Sequence, residues 1–128
     1  MFRNKQGFTL IEFLVSIVIL MVGMLGLLQA VNVAIEHNLN NQIRNEATML
    51  ADEQLSKEMT KTFDLISTST GQFYVPNRPI LKGFKNFSVV RTGTALSNSK
   101  QVNYTISWRH KGVRYTHETS SIISKTNQ

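Results

Sequence analysis

The chain has 128 residues, with 14 lysines and arginines against eight aspartates and glutamates, and no cysteine. This length fits one domain of ordinary size. Zero cysteines exclude a disulfide scaffold, a thiolate metal site and a cysteine nucleophile. Apolar residues concentrate near the N-terminus and the remainder is polar and basic, which argues against a soluble cytosolic enzyme.

A short basic leader precedes a long apolar run. The leader, residues 1–7, contains Arg3 and Lys5 and no acidic residue, and the 23 residues from Phe13 to Ile35 carry no charge. A helix needs about 20 apolar residues to cross a bilayer. The basic leader and the long polar remainder predict a single pass with a cytoplasmic N-terminus. The run is too long for a secretory signal peptide and does not end at a small-residue cleavage site.

One acidic residue, Glu12, falls at the start of this apolar run. A carboxylate in hydrocarbon or in a packed helical bundle is costly unless a partner such as an amine neutralises it. The alternative is an acidic residue at the membrane boundary by chance, where the cost is smaller. The position of Glu12 therefore calls for a charged partner if the residue enters the bilayer.

The residues around Glu12 resemble the class III signal of type IV pilins and pseudopilins, because Gly7-Phe8-Thr9-Leu10-Ile11-Glu12 follows a basic leader and opens an apolar helix. The resemblance implies that prepilin peptidase cuts after Gly7 and methylates the new amino terminus on Phe8. Glu12 then becomes the fifth residue of the mature chain, where the family pairs it with the amine of a neighbouring subunit during assembly. The implied partners are this peptidase, other minor and major pilins, the inner-membrane assembly platform, and membrane lipid before assembly.

A longer match is similar to the PilV group of minor pilins, also called type IV pilus modification proteins. Residues 8–28 contain the step Val22-Gly23-Met24-Leu25-Gly26-Leu27, and Arg44–Ala51 and Tyr104–Trp108 are also similar to that group. Gln29 replaces a proline that major pilins commonly carry near this point. The resemblance implies a low-abundance subunit that primes pilus assembly or sits at the filament tip.

Gly23 and Gly26 lie in the middle of the predicted helix, where each glycine costs about 1 kcal/mol relative to alanine. Close approach of a neighbouring helix is one explanation. Local unwinding as the subunit leaves the bilayer is a second, and the ordinary tolerance of membrane helices for glycine is a third. The sequence leaves all three open.

The helix is predicted to continue beyond the membrane as one element from Phe8 to Phe63, since no proline interrupts it. Apolar residues recur at steps of three to five and form one stripe, which predicts a docking face for a sheet. The predicted segments are a leader at 1–7, a transmembrane and assembly helix at 8–35, an amphipathic half of the helix at 36–64 and a small β domain at 65–128. The stripe comprises Ile35, Leu39, Ile43, Ala47, Leu50, Leu55, Met59 and Phe63.

Alternating patterns predict the strands of the β domain. The clearest alternation runs from Val102 to Trp108, and a tight turn at His110-Lys111-Gly112 predicts a hairpin into Val113–Ile123. Together with the helix, the pattern predicts an α+β pilin fold, in which a long N-terminal helix packs on an antiparallel sheet of three or four strands. Tyr104, Trp108 and Phe63 are the predicted aromatic core. The other predicted elements are a strand at Phe84–Val90 and loops at Pro76–Pro79 and Gly93–Gln101.

The β domain is strongly basic. From Leu65 onward there are nine lysines and arginines and one acidic residue, Glu118. Such a surface binds DNA or another anionic partner electrostatically. The stretch Lys82–Phe87 alternates basic and aromatic residues, as single-stranded nucleic acid readers do. The alternatives are a solvated basic face with Phe84 or Phe87 in the core, and a surface for acidic partner pilins.

No constellation of catalytic residues is evident. His37, His110 and His117 lack the spacing of metal ligands, and no glycine elbow presents a serine nucleophile. The adjacent carboxylates Asp52 and Glu53 point in different directions on a helix. We therefore predict a protein that is not an enzyme and that needs no metal and no cofactor.

We predict the first of four functions, and the other three remain as alternatives. The first is a minor type IV pilin, made as a single-pass inner-membrane precursor and later found in the pilus, in the periplasm or at the cell surface. The second is a type II secretion pseudopilin, which shares the leader, the span and the glutamate. The third is a DNA-capturing competence pilin that uses the basic sheet face, and the fourth is an unprocessed single-span protein.

Overall fold

The structure, a computed structural model, describes residue 7 and residues 9–126. The predictions that concern Arg3, Lys5 and Phe8 lie outside the described residues. The chain divides into two compact units, Met1–Asn38 and Leu39–Gln128. Helix α1, Leu10–Met59, begins in the first unit and ends in the second.

The described part of the first unit is dominated by the apolar half of α1. Its large aliphatic and aromatic side chains are exposed along the helix surface. The helix is long and apolar enough to cross a membrane, with a mean hydropathy of 2.6 over its most apolar window, none of which is buried within the chain. An apolar surface of this kind requires lipid or other protein around it.

The second unit packs the later half of α1 against a four-stranded sheet. All neighbouring strands are antiparallel, and their order in the sheet is the order in the chain. The predicted α+β, pilin-like architecture of a long helix and a small antiparallel sheet is therefore confirmed. The strands are β1 at Gly71–Ile80, β2 at Gly83–Ala95, β3 at Ser99–His110 and β4 at Val113–Ser124.

The helix ends at Met59, four residues before the predicted end at Phe63. A short 3₁₀ turn, Phe63–Leu65, follows. The ammonium group of Lys100 donates hydrogen bonds to the carbonyl oxygens of Phe63 and Ile66, both at 2.8 Å. These bonds satisfy main-chain acceptors of the short turn that follows the helix.

The prediction of an irregular loop at Pro76–Pro79 is wrong, because these residues lie in β1. Strand β1 is at the edge of the sheet, where the missing N–H groups of proline are tolerated. The pairing with β2 shifts between Val75 and Arg78, and Asn77 has a positive φ of 58°. The Asn77 N–H donates to the side-chain oxygen of Asn86 at 3.0 Å. The bulge therefore accommodates Pro76, while Pro79 lies beyond it, in register with Phe84 on the edge strand.

The predicted loop at Gly93–Gln101 is also too long. Strand β2 extends to Ala95 and β3 begins at Ser99, so the connection is Leu96–Asn98, closed by a hydrogen bond from the Leu96 N–H to the Ser99 oxygen at 2.8 Å. Main-chain pairing of residues 93–95 with residues 100–102 holds the ends of the predicted loop in the sheet. Because Gly93 has no side chain, the segment that contains Ser67 can cross β2 closely at this point. A Cβ added at Gly93 would lie 2.6 Å from the carbonyl oxygen of Ser67.

The core lies between α1 and the inner face of the sheet. The stripe prediction is confirmed for Ile43, Ala47 and Leu50, which are buried. It is wrong for Ile35 and Met59, which are exposed. Phe87 enters the core and Phe84 does not, which decides between the two phenylalanines. The remaining buried apolar residues are Ala51, Ile66, Val89, Val102, Tyr104, Ile106 and Trp108.

A buried ionic cluster joins the end of α1 to the sheet. We call it the Glu58 clasp and define it as Glu58, Lys61, Arg91 and Tyr104. The Glu58 carboxylate is 2% exposed and accepts hydrogen bonds from Arg91 at 2.5 Å, Lys61 at 2.9 Å and the Tyr104 hydroxyl at 3.0 Å. Since every partner is a donor, the buried charge is compensated rather than isolated.

The clasp also holds the segment between helix and sheet. The Arg91 guanidinium donates to the carbonyl oxygens of Ser67 at 2.7 Å and Ser69 at 3.0 Å. This is the segment that crosses Gly93. One arginine therefore binds the helix and the connecting segment at once.

The clasp changes the acidity of its members. Burial by itself would raise the pKa of Glu58, but the bonds from Arg91, Lys61 and Tyr104 outweigh it and lower that pKa below its ordinary value. Burial raises the pKa of Tyr104, and its hydrogen bond to Glu58 raises it further. The clasp is therefore most stable with an ionised Glu58 and a neutral Tyr104.

Truncating Trp108 is expected to destabilise the second unit severely. Its ring packs edge-on against Phe87 and stacks on Tyr115, both at 5.9 Å between centroids. Trp108→Ala should lower the free energy of unfolding by about 4 kcal/mol, measured by urea denaturation of the soluble fragment 36–128. Tyr74→Ala, which removes an exposed aromatic side chain, serves as the matched control. A Trp108→Ala melting temperature within a few degrees of wild type would contradict this packing.

Acid is expected to weaken the Glu58 clasp. Because the folded-state pKa of Glu58 is depressed, its stabilisation is present above the unfolded value of about 4.3 and is lost as the pH falls through the folded value. Glu58→Gln should lower the free energy of unfolding by about 3 kcal/mol at neutral pH and by less in acid. Urea denaturation of wild type and of Glu58→Gln, at neutral pH and in acid, measures the difference in the free energy of unfolding. Asp52→Asn, on the exposed side of the same helix, is the control, and an equal Glu58→Gln deficit at both pH values would refute the assignment.

Candidate functional site

The first turn of α1 contains a reciprocal pair of hydrogen bonds. The Thr9 N–H donates to Oε2 of Glu12 at 3.3 Å, and the Glu12 N–H donates to the hydroxyl oxygen of Thr9 at 3.2 Å. The carbonyl oxygen of Thr9 also accepts from the Phe13 N–H at 3.2 Å. Thr9 is therefore the N-cap and Glu12 the third helical residue of a capping box.

The capping box gives Glu12 a role that we did not predict from the sequence. The spacing Thr-x-x-Glu ahead of an apolar run is its signal and is present at Thr9 and Glu12. The carboxylate also lies at the positive end of the helix dipole, which favours a negative charge. A carboxylate can accept several hydrogen bonds, so the exposed side chain of Glu12 keeps capacity for a donor from outside the chain.

Of the two residues at the predicted cleavage point, the structure describes Gly7 only. Gly7 is exposed, and a Cβ added there would meet no atom within 4 Å. Phe8, the predicted methylation site, lies outside the described residues. Gly7 is therefore accessible to an external partner, and cleavage after it stays a prediction.

Gly23 and Gly26 lie on the exposed surface of the apolar half of α1. A Cβ added at either position would meet no other atom within 4 Å. Because residues three apart share a helix face, the two glycines form one shallow site on that surface. Contacts within the chain therefore do not account for them, and a neighbouring helix or lipid is what they would meet.

Ser16 is a polar residue within the apolar run, and its hydroxyl group has an internal partner. It donates to the Glu12 carbonyl oxygen at 2.8 Å, one turn earlier on the helix. A hydroxyl bonded in this way carries no unsatisfied donor into hydrocarbon. The run from Phe13 onward therefore suits a bilayer despite this residue.

The outer face of the sheet, turned away from α1, carries an open groove of about 350 Å³. Its polar lining includes Gln72, Ser88 and Ser107, and two arginines, Arg109 and Arg114, oppose each other across the β3–β4 pair. Like charges placed opposite each other disfavour the pairing of two strands. Arg109 and Arg114 are the two basic residues that line this groove, whereas Arg78 and Arg91 bind carboxylates of α1. A basic sheet face that binds anions therefore stays a prediction.

The other candidate residues do not assemble into a chemical site. Within the described residues, no group of three histidines, aspartates, glutamates or cysteines is placed to hold a metal ion. Glu53 binds Lys57 at 3.1 Å and Arg78 at 3.1 Å, and the bond from Lys57, followed by that from Arg78, lowers the pKa of Glu53. The bond between Glu53 and Arg78 ties the helix surface to β1.

The comparisons with known proteins address the N-terminal region. The prokaryotic N-terminal methylation motif matches residues 2–28. No curated protein and no solved structure matches the chain. The matched region contains the leader, the capping box and most of the apolar run, including Gly23 and Gly26. This motif indicates a type IV pilin-like or pseudopilin precursor that prepilin peptidase processes, and it suggests a structural subunit anchored by its N-terminal helix.

Proposed function

We propose that the protein is a minor type IV pilin similar to the PilV group. The observation that carries the proposal is the methylation motif at residues 2–28, followed by an apolar helix whose surface the chain leaves exposed. In this proposal residues 8–35 hold the precursor in the inner membrane with a cytoplasmic N-terminus. Prepilin peptidase cuts after Gly7 and methylates Phe8. The subunit then joins other minor pilins to prime the pilus or occupy its tip.

The proposed role of Glu12 is to pair with a neighbouring subunit. Cleavage after Gly7 removes Arg3 and Lys5 and creates an amine on Phe8, four residues before Glu12. A carboxylate that enters a helical bundle must be neutralised, and the amine of the neighbouring subunit supplies the opposite charge. The capping box uses main-chain N–H groups of Thr9 and Glu12, which cleavage leaves intact.

The proposed assembly surface is the apolar half of α1. Its exposed side chains favour lipid in the precursor and the helices of neighbouring subunits in the filament. Gly23 and Gly26 would allow one neighbouring helix to approach closely on their shared face. Transfer from lipid to a helical bundle keeps this surface out of water throughout.

A type II secretion pseudopilin is the alternative within the same class, since it shares the leader, the span and Glu12. Gln29, in place of the proline common in major pilins, fits both a minor pilin and a pseudopilin. The genes around the coding sequence separate the two, because pilus genes support the first and secretion genes the second.

Two substitutions separate the charge of Glu12 from its capping role. Glu12→Gln keeps the capping box, since glutamine also serves at this position, but removes the negative charge. We expect it to insert into the membrane at the wild-type level and to enter filaments at least tenfold less, because the buried amine loses its partner. The measurement is the ratio of the protein in sheared pili to the protein in the membrane fraction.

Thr9→Ala is the matched control. It removes the capping hydroxyl, at about 1 kcal/mol of helix stability, and retains the charge of Glu12. We expect its incorporation to remain close to wild type. Normal incorporation of Glu12→Gln would refute the charge-pair proposal, and equal defects in both variants would assign Glu12 to capping alone.

A further inference from the structure

Two β-turns at one end of the sheet form a surface that the proposed assembly role does not use. We call it the hairpin tips and define it as Leu81–Phe84, the β1–β2 turn with the first residues of β2, and Lys111–Arg114, the β3–β4 turn with the first residues of β4. The antiparallel order β1-β2-β3-β4 places both turns at the same end. Lys111 and Gly112 both have positive φ, at 49° and 78°, which is the geometry of a tight two-residue hairpin.

The hairpin tips expose apolar side chains. Leu81 is 73% exposed, Phe84 70% and Val113 53%. Each lies in or directly beside a turn, where polar residues are the usual choice. Three exposed apolar residues at the extreme end of a sheet are typical of a surface that binds a partner or a membrane.

The same end of the sheet is densely basic. Lys82, Lys111 and Arg114 lie in the tips, and Lys85 and Arg109 lie next to them, where the Lys85 ammonium donates to the Arg109 carbonyl oxygen. The sequence contains no acidic residue from Gln72 to His117. On the helix, the acidic residue of the second unit closest to this end, Glu46, is neutralised by Arg78 at 2.8 Å. The tips themselves therefore contain three basic residues and no acidic residue.

The hairpin tips lie at the end of the second unit where the chain arrives from the membrane segment. The Leu81 N–H donates to the side-chain oxygen of Gln42 at 3.0 Å, three residues after the unit begins at Leu39. The uncharged run ends at Ile35. The four residue steps from Ile35 to Leu39 span at most about 14 Å even when fully extended. Covalent connection therefore keeps the tips close to the bilayer surface while the apolar run is embedded.

We propose that the hairpin tips dock on the headgroups of the anionic bilayer in which the helix is anchored. Leu81, Phe84 and Val113 enter the interface, and the surrounding lysines and arginines contact lipid phosphates. Apolar residues flanked by basic ones bind an anionic membrane surface in two ways: the apolar side chains are buried in the interface, and the basic groups are attracted to the anionic lipids. Docking rests on the membrane segment and not on filament assembly, and it would hold the second unit in one orientation until the subunit leaves the lipid.

Membrane rather than nucleic acid is the favoured partner. A nucleic acid groove uses aromatic rings as stacking platforms along a basic channel, whereas two of the three exposed residues in the tips, Leu81 and Val113, are aliphatic. The covalent tether to the membrane segment also brings headgroups to the tips at high effective concentration.

A fluorescent label on the full chain tests the docking. Because the chain has no cysteine, Leu81→Cys accepts a single environment-sensitive fluorophore at the tips. Leu96→Cys, an exposed leucine in the loop at the opposite end of the sheet, is the matched reporter. We expect the emission at position 81 to shift to the blue in vesicles that contain phosphatidylglycerol, and not in phosphatidylcholine vesicles or at high salt. Position 96 should show no shift in any of them.

Charge reversal identifies the lysine involved. Lys82→Glu changes the charge of the tips by two, and each charge near an anionic surface alters the docked-to-undocked ratio about fivefold, so that ratio should fall about 25-fold. Lys125→Glu, an exposed lysine next to the loop at the other end, should leave it unchanged.

Equal emission at positions 81 and 96, or a shift at position 81 that is independent of lipid charge and salt, would overturn the proposal. A response at position 81 to single-stranded DNA without any response to phosphatidylglycerol would overturn it in favour of nucleic acid.

Discussion

Within the residues that the structure describes, nothing covers the apolar surface of the first half of α1, and the rest of the structure depends on that fact. From Phe13 to Ile35 the chain carries no charge, and the most apolar window of the helix is exposed along its whole length. Only lipid or other helices can cover such a surface. The one carboxylate at its start, Glu12, is held in a capping box that stabilises the first turn and leaves the side chain open to an external donor. The same segment is therefore suited first to a bilayer and then to a bundle.

The second unit holds together by means that do not involve the apolar run. Its core combines one face of α1 with the aromatic residues Phe87 and Trp108 of the sheet. With no cysteine available, the Glu58 clasp fixes the end of the helix, and Arg91 extends that hold to the segment that enters the sheet. Because the residues of this core lie outside the apolar run, the second unit can remain folded while that run changes its surroundings. The hairpin tips then mark the end of this unit that is tethered closest to the membrane.

Sequence patterns predicted the features that depend on local spacing. The leader, the apolar run, the core residues Ile43 and Leu50 and the β3–β4 hairpin follow from periodicity and turn residues. The assignment of Pro76–Pro79 to a loop was wrong because proline argues against a strand unless the strand lies at an edge, and the edge position depends on the whole sheet. The Glu58 clasp was missed because Arg91 and Tyr104 are 33 and 46 residues away from Glu58 in the chain. The capping box does have a local signal, Thr9-x-x-Glu12, which the prediction of a charge pair at Glu12 did not include.

Processing at the N-terminus is the central claim, because both the charge pair and assembly require a new amine at Phe8. The direct measurement is the mass and N-terminal sequence of the chain recovered from cells with an active prepilin peptidase, beside cells that lack the enzyme. The account predicts a chain that begins at methylated Phe8 in the first cells and an intact leader in the second. A chain that begins at Met1 in both would contradict it and leave a simple membrane anchor.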